Sequence, residues 1–109
     1  MDATKYATNM ATQLRKGFLA YCVLKICTNQ PRYTSDIIER LRSAQLVVVE
    51  GTIYPLLSRL QKDGLLQYEW QESEQGPPRK YYQTTEHGQA VASVVQKNIT
   101  QLNAALKKL

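Results

Sequence analysis

The stretch GTIYPLLSRLQKDGLL, residues Gly51 to Leu66, decides how this chain folds. Four of its apolar residues recur at the spacing of one helical face: Ile53, Leu56, Leu57 and Leu60. Such a stripe predicts an amphipathic helix. Pro55 lies among them, and an interior proline costs about 3 kcal/mol unless it is near the first turn. We therefore predict a helix over Thr52 to Asp63 that begins just before Pro55 and has Gly64 as its C′ residue.

Length and composition indicate one compact domain with a modest core. The chain has 109 residues, 43% hydrophobic, with only 5 Gly and 4 Pro. Its 14 Lys and Arg against 9 Asp and Glu leave a net charge of +5. This excess favours a polyanionic partner, either nucleic acid or an anionic membrane surface. A basic protein without such a partner has the same composition, so the position of the charges must decide.

Several functional classes lack their signature residues. Cys22 and Cys27 are five residues apart, which matches neither a CxxC pair nor a zinc knuckle, so we expect reduced, buried thiols. His87 has no ligand-forming neighbour, and no catalytic constellation is present, so we expect no metal, no cofactor and no enzyme activity. The absence of a long apolar run or a signal-peptide pattern predicts a cytoplasmic protein without membrane association.

The N-terminal half of the sequence predicts two further helices. The first spans Tyr6 to Thr28, and its second half is apolar nearly all round, as in a central buried helix. Pro31 ends this helical pattern. A short helix follows over Asp36 to Ala44, for which the hydroxyl of Thr34 or Ser35 can serve as N-cap.

An antiparallel hairpin is predicted after the third helix. Leu65 to Gln71 alternates between apolar and polar residues, and a second strand begins at Arg79 with RKYYQTT. The tip between them carries Gly76, Pro77 and Pro78. Before the third helix, the β-branched run QLVVVEG indicates a turn or short strand.

Trp70 and Tyr68 share one face of the first hairpin strand with Leu66. Large aromatic side chains usually serve as packing mass, so we expect Trp70 to pack against the helices. Of Tyr81 and Tyr82, which alternate, one should be buried.

The last helix, capped by Thr85, carries a heptad seam. A helix of about 24 residues is longer than so small a domain can cover, which predicts a homodimer. The seam begins at Ala92 and continues through the residues expected to form the dimer contact: Val95, Ile99, Leu102, Leu106 and Leu109.

This order of elements is typical of a winged helix-turn-helix. The predicted class is mainly α with a small β-hairpin (α+β), with residues 1–85 as the DNA-binding domain and 86–109 as the dimerisation helix. In that architecture the third helix enters the major groove and the hairpin flanks it as a wing. A polar outer face on a surface helix is most often merely solvated. The wing favours a functional face here, since Arg79 and Lys80 directly follow the tip.

At this point the sequence resembles the PadR family of bacterial transcriptional regulators. The resemblance rests on GTIYPLLSRLQKDGLL, on GPPRKYYQTTEHG about ten residues later, and on LRKGFLAYCVLKIC, which is similar to the family's opening helix. It covers roughly Leu14 to Gly88. It implies a winged-helix repressor that binds operator DNA as a dimer, through a C-terminal helix that packs with the N-terminal one. Release by a small aromatic or drug-like molecule, or by a stress signal, is a further implication.

The resemblance and the polar face together give the expected DNA contacts. They lie at the start of the first helix, at the start of the second, on the third helix and on the wing: Arg15, Lys16, Thr34, Ser35, Thr52, Tyr54, Pro55, Ser58, Arg59, Lys62, Arg79 and Lys80. The apolar ring of Pro55, next to Tyr54, is suited to a thymine methyl group.

Three positions depart from the family pattern. Val49 stands where a small hydroxyl residue commonly precedes the recognition helix, so the backbone near Gly51 is expected to cap it. Thr34 stands where glycine is frequent. The last helix has no tryptophan, on which some multidrug-sensing relatives stack ligands. The rival interpretation of the whole chain is a winged-helix module that binds protein, with an incidental basic face.

Overall fold

The computed structural model describes residues 2–46 and 48–109. It contains four helices and a three-stranded antiparallel sheet, which confirms the α+β winged-helix class. In chain order the elements are α1 (Ala3–Ile26), β1 (Arg32–Tyr33), α2 (Thr34–Ser43), α3 (Glu50–Lys62), β2 (Leu66–Ser73), β3 (Gly76–Thr84) and α4 (Glu86–Lys108). Within the described residues, no helix combines the length and apolar character needed to cross a membrane.

Helix α1 begins three residues before the expected Tyr6 because Asp2 caps it, its carboxylate accepting from the Thr4 N–H at 3.0 Å. The expectation for its second half is confirmed, since four of its residues are buried there: Leu19, Tyr21, Val23 and Leu24. Cys27 follows as the C-cap and is fully buried, and burial raises the pKa of its thiol to about 12. Both cysteines are free thiols, although Cys22 is only half-buried.

Helix α2 begins at Thr34, two residues earlier than expected, and the N-cap is Tyr33. The prediction of a hydroxyl cap from Thr34 or Ser35 is therefore wrong, because no side chain caps this helix. Its first turn instead carries Asp36, whose carboxylate complements the helix dipole and pairs with the Arg32 guanidinium at 3.0 Å. This ion pair joins β1 to the start of α2.

The run before α3 was expected to form a turn or short strand. Val47 lies outside the described residues, and Leu46, Val48 and Val49 are in neither a helix nor a strand. Gln45 has a positive φ of 69° and lies just beyond the end of α2.

Helix α3 begins at Glu50, two residues before the expected Thr52, so it does not start just before Pro55 as predicted. Pro55 lies in the second turn, where its missing N–H leaves the Gly51 carbonyl without that intrahelical donor. The helix tolerates the loss because its apolar stripe is buried on both sides of the proline. Val49 is the N-cap and supplies no side-chain bond, and its carbonyl accepts from the Thr52 N–H at 2.9 Å.

The expected role of Gly64 is confirmed. It has φ 78°, its N–H donates to the Gln61 carbonyl at 3.1 Å, and the Leu65 N–H donates to the Leu60 carbonyl at 2.9 Å. These two bonds form a Schellman motif, which turns the chain directly from α3 into β2.

The tip of the hairpin is displaced from the expected position. The turn is formed by Glu74 and Gln75, and Pro77 and Pro78 lie inside β3. Between the pairs Gln71↔Arg79 and Ser73↔Gly76, β3 carries two residues and β2 only one, so the prolines occupy a bulge. Residues without an N–H are tolerated there because the ladder is already interrupted.

The sequence interpretation missed β1. Arg32 and Tyr33 pair with Tyr82 and Tyr81, so β3 is the central strand of the sheet, in the order β1-β3-β2. A strand of two residues is too short to show any period in the sequence. It matters for function because it brings Tyr33 beside the wing.

Thr85 is the N-cap of α4, as expected, and also ties that helix to the end of α3. Its hydroxyl accepts from the Gly88 N–H at 3.0 Å and donates to the Gly64 carbonyl at 2.7 Å. A Cβ at Gly88 would overlap the Leu65 carbonyl oxygen and lie 2.7 Å from a Thr84 methyl group. The missing side chain of Gly88 therefore permits this close approach.

Candidate nucleic-acid interface

The recognition-helix candidate α3 has two faces of opposite character. Ile53, Leu56, Leu57 and Leu60 are buried in the main core, together with residues of α1, α2 and the hairpin. The outer face is exposed and carries six of the expected contact residues: Thr52, Tyr54, Pro55, Ser58, Arg59 and Lys62. Packing therefore fixes the helix from one side and leaves the whole of the other side available.

A groove of about 470 Å³ lies between the start of α2, α3 and the hairpin. Nine described residues line it: Tyr33, Thr34, Ser35, Tyr54, Ser58, Trp70, Arg79, Lys80 and Tyr82. Two of them are cations, and none is a carboxylate. Hydroxyl and cationic groups are those that bind phosphate oxygens and base edges. The geometry fits a polyanion that touches three elements at once.

The two wing cations are held by aromatic rings. Lys80 Nζ lies 4.2 Å from the centroid of the Tyr68 ring, and Arg79 Cζ lies 4.9 Å from that of Tyr33. Neither cation forms an ion pair with a carboxylate of the described residues. Cation–π contacts orient these side chains without neutralising their charge.

The structure gathers some of the expected DNA contacts and separates others. Six of them line the groove: Thr34, Ser35, Tyr54, Ser58, Arg79 and Lys80. On the outer face of α3, Thr52, Pro55, Arg59 and Lys62 are exposed beside it. Arg15 and Lys16 are exposed in the middle of α1 and do not line the groove.

The expectation that Trp70 packs in the core is wrong. Trp70 and Tyr68 are exposed, although Leu66 on the same strand face is buried. The reason is that the hairpin extends past the helices, so only its base has a core to enter. Tyr82, opposite Tyr68, is the buried member of the Tyr81 and Tyr82 pair, and burial raises the pKa of its hydroxyl.

Three aromatic residues of the groove escaped the sequence interpretation as site residues: Tyr33, Trp70 and Tyr82. Trp70 is paired across the hairpin with the groove residue Lys80, and Tyr82 follows Lys80 by two residues on the same strand. A hairpin predicted with the right register would have shown that both lie on the face of Lys80. Nothing in the sequence indicated that Tyr33 lies at the groove, because β1 was not predicted.

The proposed dimer seam runs along α4 and becomes more exposed towards the C-terminal end of that helix. Val95 and Ile99 are half-buried, whereas Leu102, Leu106 and Leu109 are exposed. Four large apolar residues of α1 are exposed as well, at intervals of four: Tyr6, Met10, Leu14 and Phe18. Among the described residues, no group of three or more His, Cys, Asp or Glu side chains could hold a metal ion.

The fold and the groove define this chain as a winged-helix protein with a basic, hydroxyl-rich recognition surface. Residues 23–94 match the family model described as the transcriptional regulator PadR-like family. The chain belongs to this family and is a DNA-binding transcriptional regulator. A search of curated proteins found no match.

Solved structures support the assignment. A PadR-like transcription factor from Bacteroides fragilis is 48% identical, covering 92% of this chain and 97% of its own, with a TM-score of 0.79. A PadR family transcriptional regulator from Eggerthella lenta is 31% identical, covering 96% and 92%, with a TM-score of 0.82. A Streptococcus transcriptional regulator is 33% identical, covering 88% and 95%, with a TM-score of 0.80.

Proposed function

We propose that this regulator is a homodimeric repressor that binds a pseudo-palindromic operator. The observation that carries the proposal is the groove in which α3 and the start of α2 converge with Arg79 and Lys80 of the wing. A helix in the major groove beside a wing on the backbone needs such a concave, cationic surface. Tyr54 and Ser58 face the groove from α3 and are the proposed base-reading residues.

The dimer part of the proposal is supported by apolar surface that one copy leaves uncovered. Exposed large apolar residues lie along α1 from Tyr6 to Phe18 and along α4 from Val94 towards its C-terminal end. A second copy that packs α4 against these helices would cover both stripes, as burial of apolar surface favours. The two recognition helices would then face half-sites about one DNA turn apart.

Selection from a random-sequence DNA pool tests the proposal without knowledge of the operator. We expect the protein to enrich an inverted repeat whose half-sites are about 10 base pairs apart, centre to centre. A reporter gene with the selected site in its promoter should then be expressed less when the protein is present. If no sequence is enriched, the protein does not bind DNA sequence-specifically. Enrichment of single half-sites would contradict the proposed dimer.

Two variants assign roles within the groove. Ser58→Ala should change the base preference at a defined position, costing about 1 kcal/mol there, because it removes a group that faces bases. Lys80→Ala should weaken binding to all DNA sequences alike, because it removes a phosphate contact. Swapped outcomes would mean that the helix and the wing have exchanged the proposed roles.

Release by an effector completes the proposal and is supported by a groove of about 310 Å³ between α1 and α4. Tyr21 and Lys25 line it from α1, and Gln89 and Ser93 from α4. A molecule seated there would alter the crossing of the two helices and so the separation of the recognition helices. Ser93→Phe, which fills the groove, should therefore weaken operator binding, whereas the exposed Ala104→Phe outside it should not. Equal affinities of the two variants would contradict this step.

A further inference from the structure

The hairpin face that looks onto the groove changes from core to surface along its length. Leu66 at the base is 2% exposed, Tyr68 is 38% exposed, and Trp70 nearer the tip is 62% exposed. Trp70 pairs across the strands with Lys80, and both line the groove. A tryptophan with this much apolar surface in water needs an explanation, because its ring has no core position to enter.

Tyr68, Trp70 and Lys80 form a cluster that we call the wing stack. The Tyr68 and Trp70 rings meet edge to face, with centroids 6.4 Å apart and planes at 89°. Lys80 Nζ lies 4.2 Å from the Tyr68 centroid and 5.4 Å from that of Trp70. Each member of the stack is thus oriented by the other two, which reduces the ordering cost when a partner binds.

Arg79 is held separately, by an aromatic ring of β1. It lies over the Tyr33 ring, which in turn contacts Tyr81 at a centroid distance of 5.4 Å. The two wing cations are therefore fixed independently. The difference is that the stack under Lys80 includes the largest exposed aromatic ring of the wing, whereas the Arg79 site has no such ring.

We propose that Trp70 is a DNA contact of the wing and packs its ring against deoxyribose of the strand whose phosphate Lys80 binds. The inference rests on the proposed DNA recognition. Charge complementarity selects the occupant, because the groove walls carry Lys80 and Arg79 and no described carboxylate. Lys80 keeps donors free for a phosphate while it lies over the rings. An indole ring offers one hydrogen-bond donor and no acceptor, so its main contact is apolar, and the sugar is the apolar part of the backbone.

Such a contact is independent of sequence, since every nucleotide carries the same sugar. It would add affinity and set the distance of the wing from the backbone. Base preference would stay with Tyr54 and Ser58 on α3. This distinction separates the proposal from insertion of Trp70 between bases, which would favour easily unstacked steps.

Trp70 is the one tryptophan of the sequence, so its fluorescence reports directly on the contact. The probe is a duplex that the protein itself selects from a random pool. On saturation we expect the emission to shift to shorter wavelength and quenching by acrylamide to fall by about half, because one of the two ring faces becomes covered. Unchanged emission and quenching with fully bound DNA would overturn the proposal.

Affinity measurements provide the second test. Trp70→Ala should weaken binding about tenfold for all sequences alike, equivalent to about 1.4 kcal/mol, and Trp70→Phe should restore most of the loss. Gln71→Ala is the matched control, since Gln71 is the next residue of β2 and lies on the opposite face. It should bind as the unaltered protein does.

The outcomes separate the inference from the proposed function. If Trp70→Ala binds DNA normally while Lys80→Ala binds it more weakly, the Trp70 contact is refuted and the proposed DNA-binding function is unaffected. If Trp70→Ala changes base preference, the contact is to bases and not to sugar, which also refutes the proposal. If the unaltered protein selects no sequence, the proposed function fails first.

Discussion

Helices α3 and α4 are both amphipathic, yet one copy of the chain covers the apolar side of only one of them. On α3, every residue of the apolar stripe is at most 7% exposed. On α4, Leu102 and Leu106 of the seam are 67% and 69% exposed. The comparison teaches that similar sequence patterns serve two purposes. The stripe of α3 anchors a reading surface inside one chain, and that of α4 presents apolar surface outward.

The strongest way to break this comparison is to place a charge on α4. Leu102→Glu should dissociate the proposed dimer, because burying the carboxylate would cost on the order of 4 kcal/mol. Sedimentation should then show half the mass of the unaltered protein. Ala104→Glu is the control, since the helical period places it on the other side of α4, and it should remain dimeric. An unchanged mass for Leu102→Glu would mean that α4 does not form the seam.

On α3 the same comparison predicts a loss of fold stability. Leu57 is 1% exposed, so Leu57→Ala should lower the free energy of unfolding by about 3 kcal/mol through lost packing and a cavity. Ser58→Ala, one residue further and exposed, should change it by less than about 0.5 kcal/mol. Urea denaturation measures both. Similar values for the two variants would mean that α3 is not anchored by its stripe.

The joint between the two helices should respond less strongly. Gly88→Ala should lower the free energy of unfolding by about 2 kcal/mol, because the added methyl group meets the Leu65 carbonyl and the Thr84 side chain. Gly51→Ala is the matched control, since no atom lies within 4 Å of the added Cβ apart from chain neighbours and the backbone of its own helix. Thermal unfolding compares the two. A stable Gly88→Ala variant would show that the close approach of α4 to the α3–β2 turn is not required.

The same two helices show how far the sequence could be interpreted. The buried face of α3, its Gly64 terminus and the Thr85 cap of α4 follow from local rules of period and capping, and all three are confirmed. The predicted start of α3 was wrong because packing on both sides of Pro55 compensates for one lost hydrogen bond. Local rules do not include that compensation.

The hairpin was predicted less well than the helices because its structure depends on how far the strands extend beyond the core and on how they pair. Alternation correctly put Trp70 on the face of Leu66, but it cannot tell how far a strand extends beyond the core. The prolines were assigned to the tip on turn propensity, whereas they occupy a bulge within β3. The two residues of β1 left no pattern, so the groove wall contributed by Tyr33 could be found only from the structure.

Salt dependence of DNA binding tests most directly whether the groove and the outer face of α3 meet a polyanion. Each copy presents Arg59, Lys62, Arg79 and Lys80 there. If both copies use all four, the logarithm of the association constant for the selected duplex should fall with the logarithm of salt concentration with a slope of about −7. Lys80→Ala should make that slope shallower by about 2, one contact per copy. Binding that ignores salt, or a slope that Lys80→Ala leaves unchanged, would contradict the account.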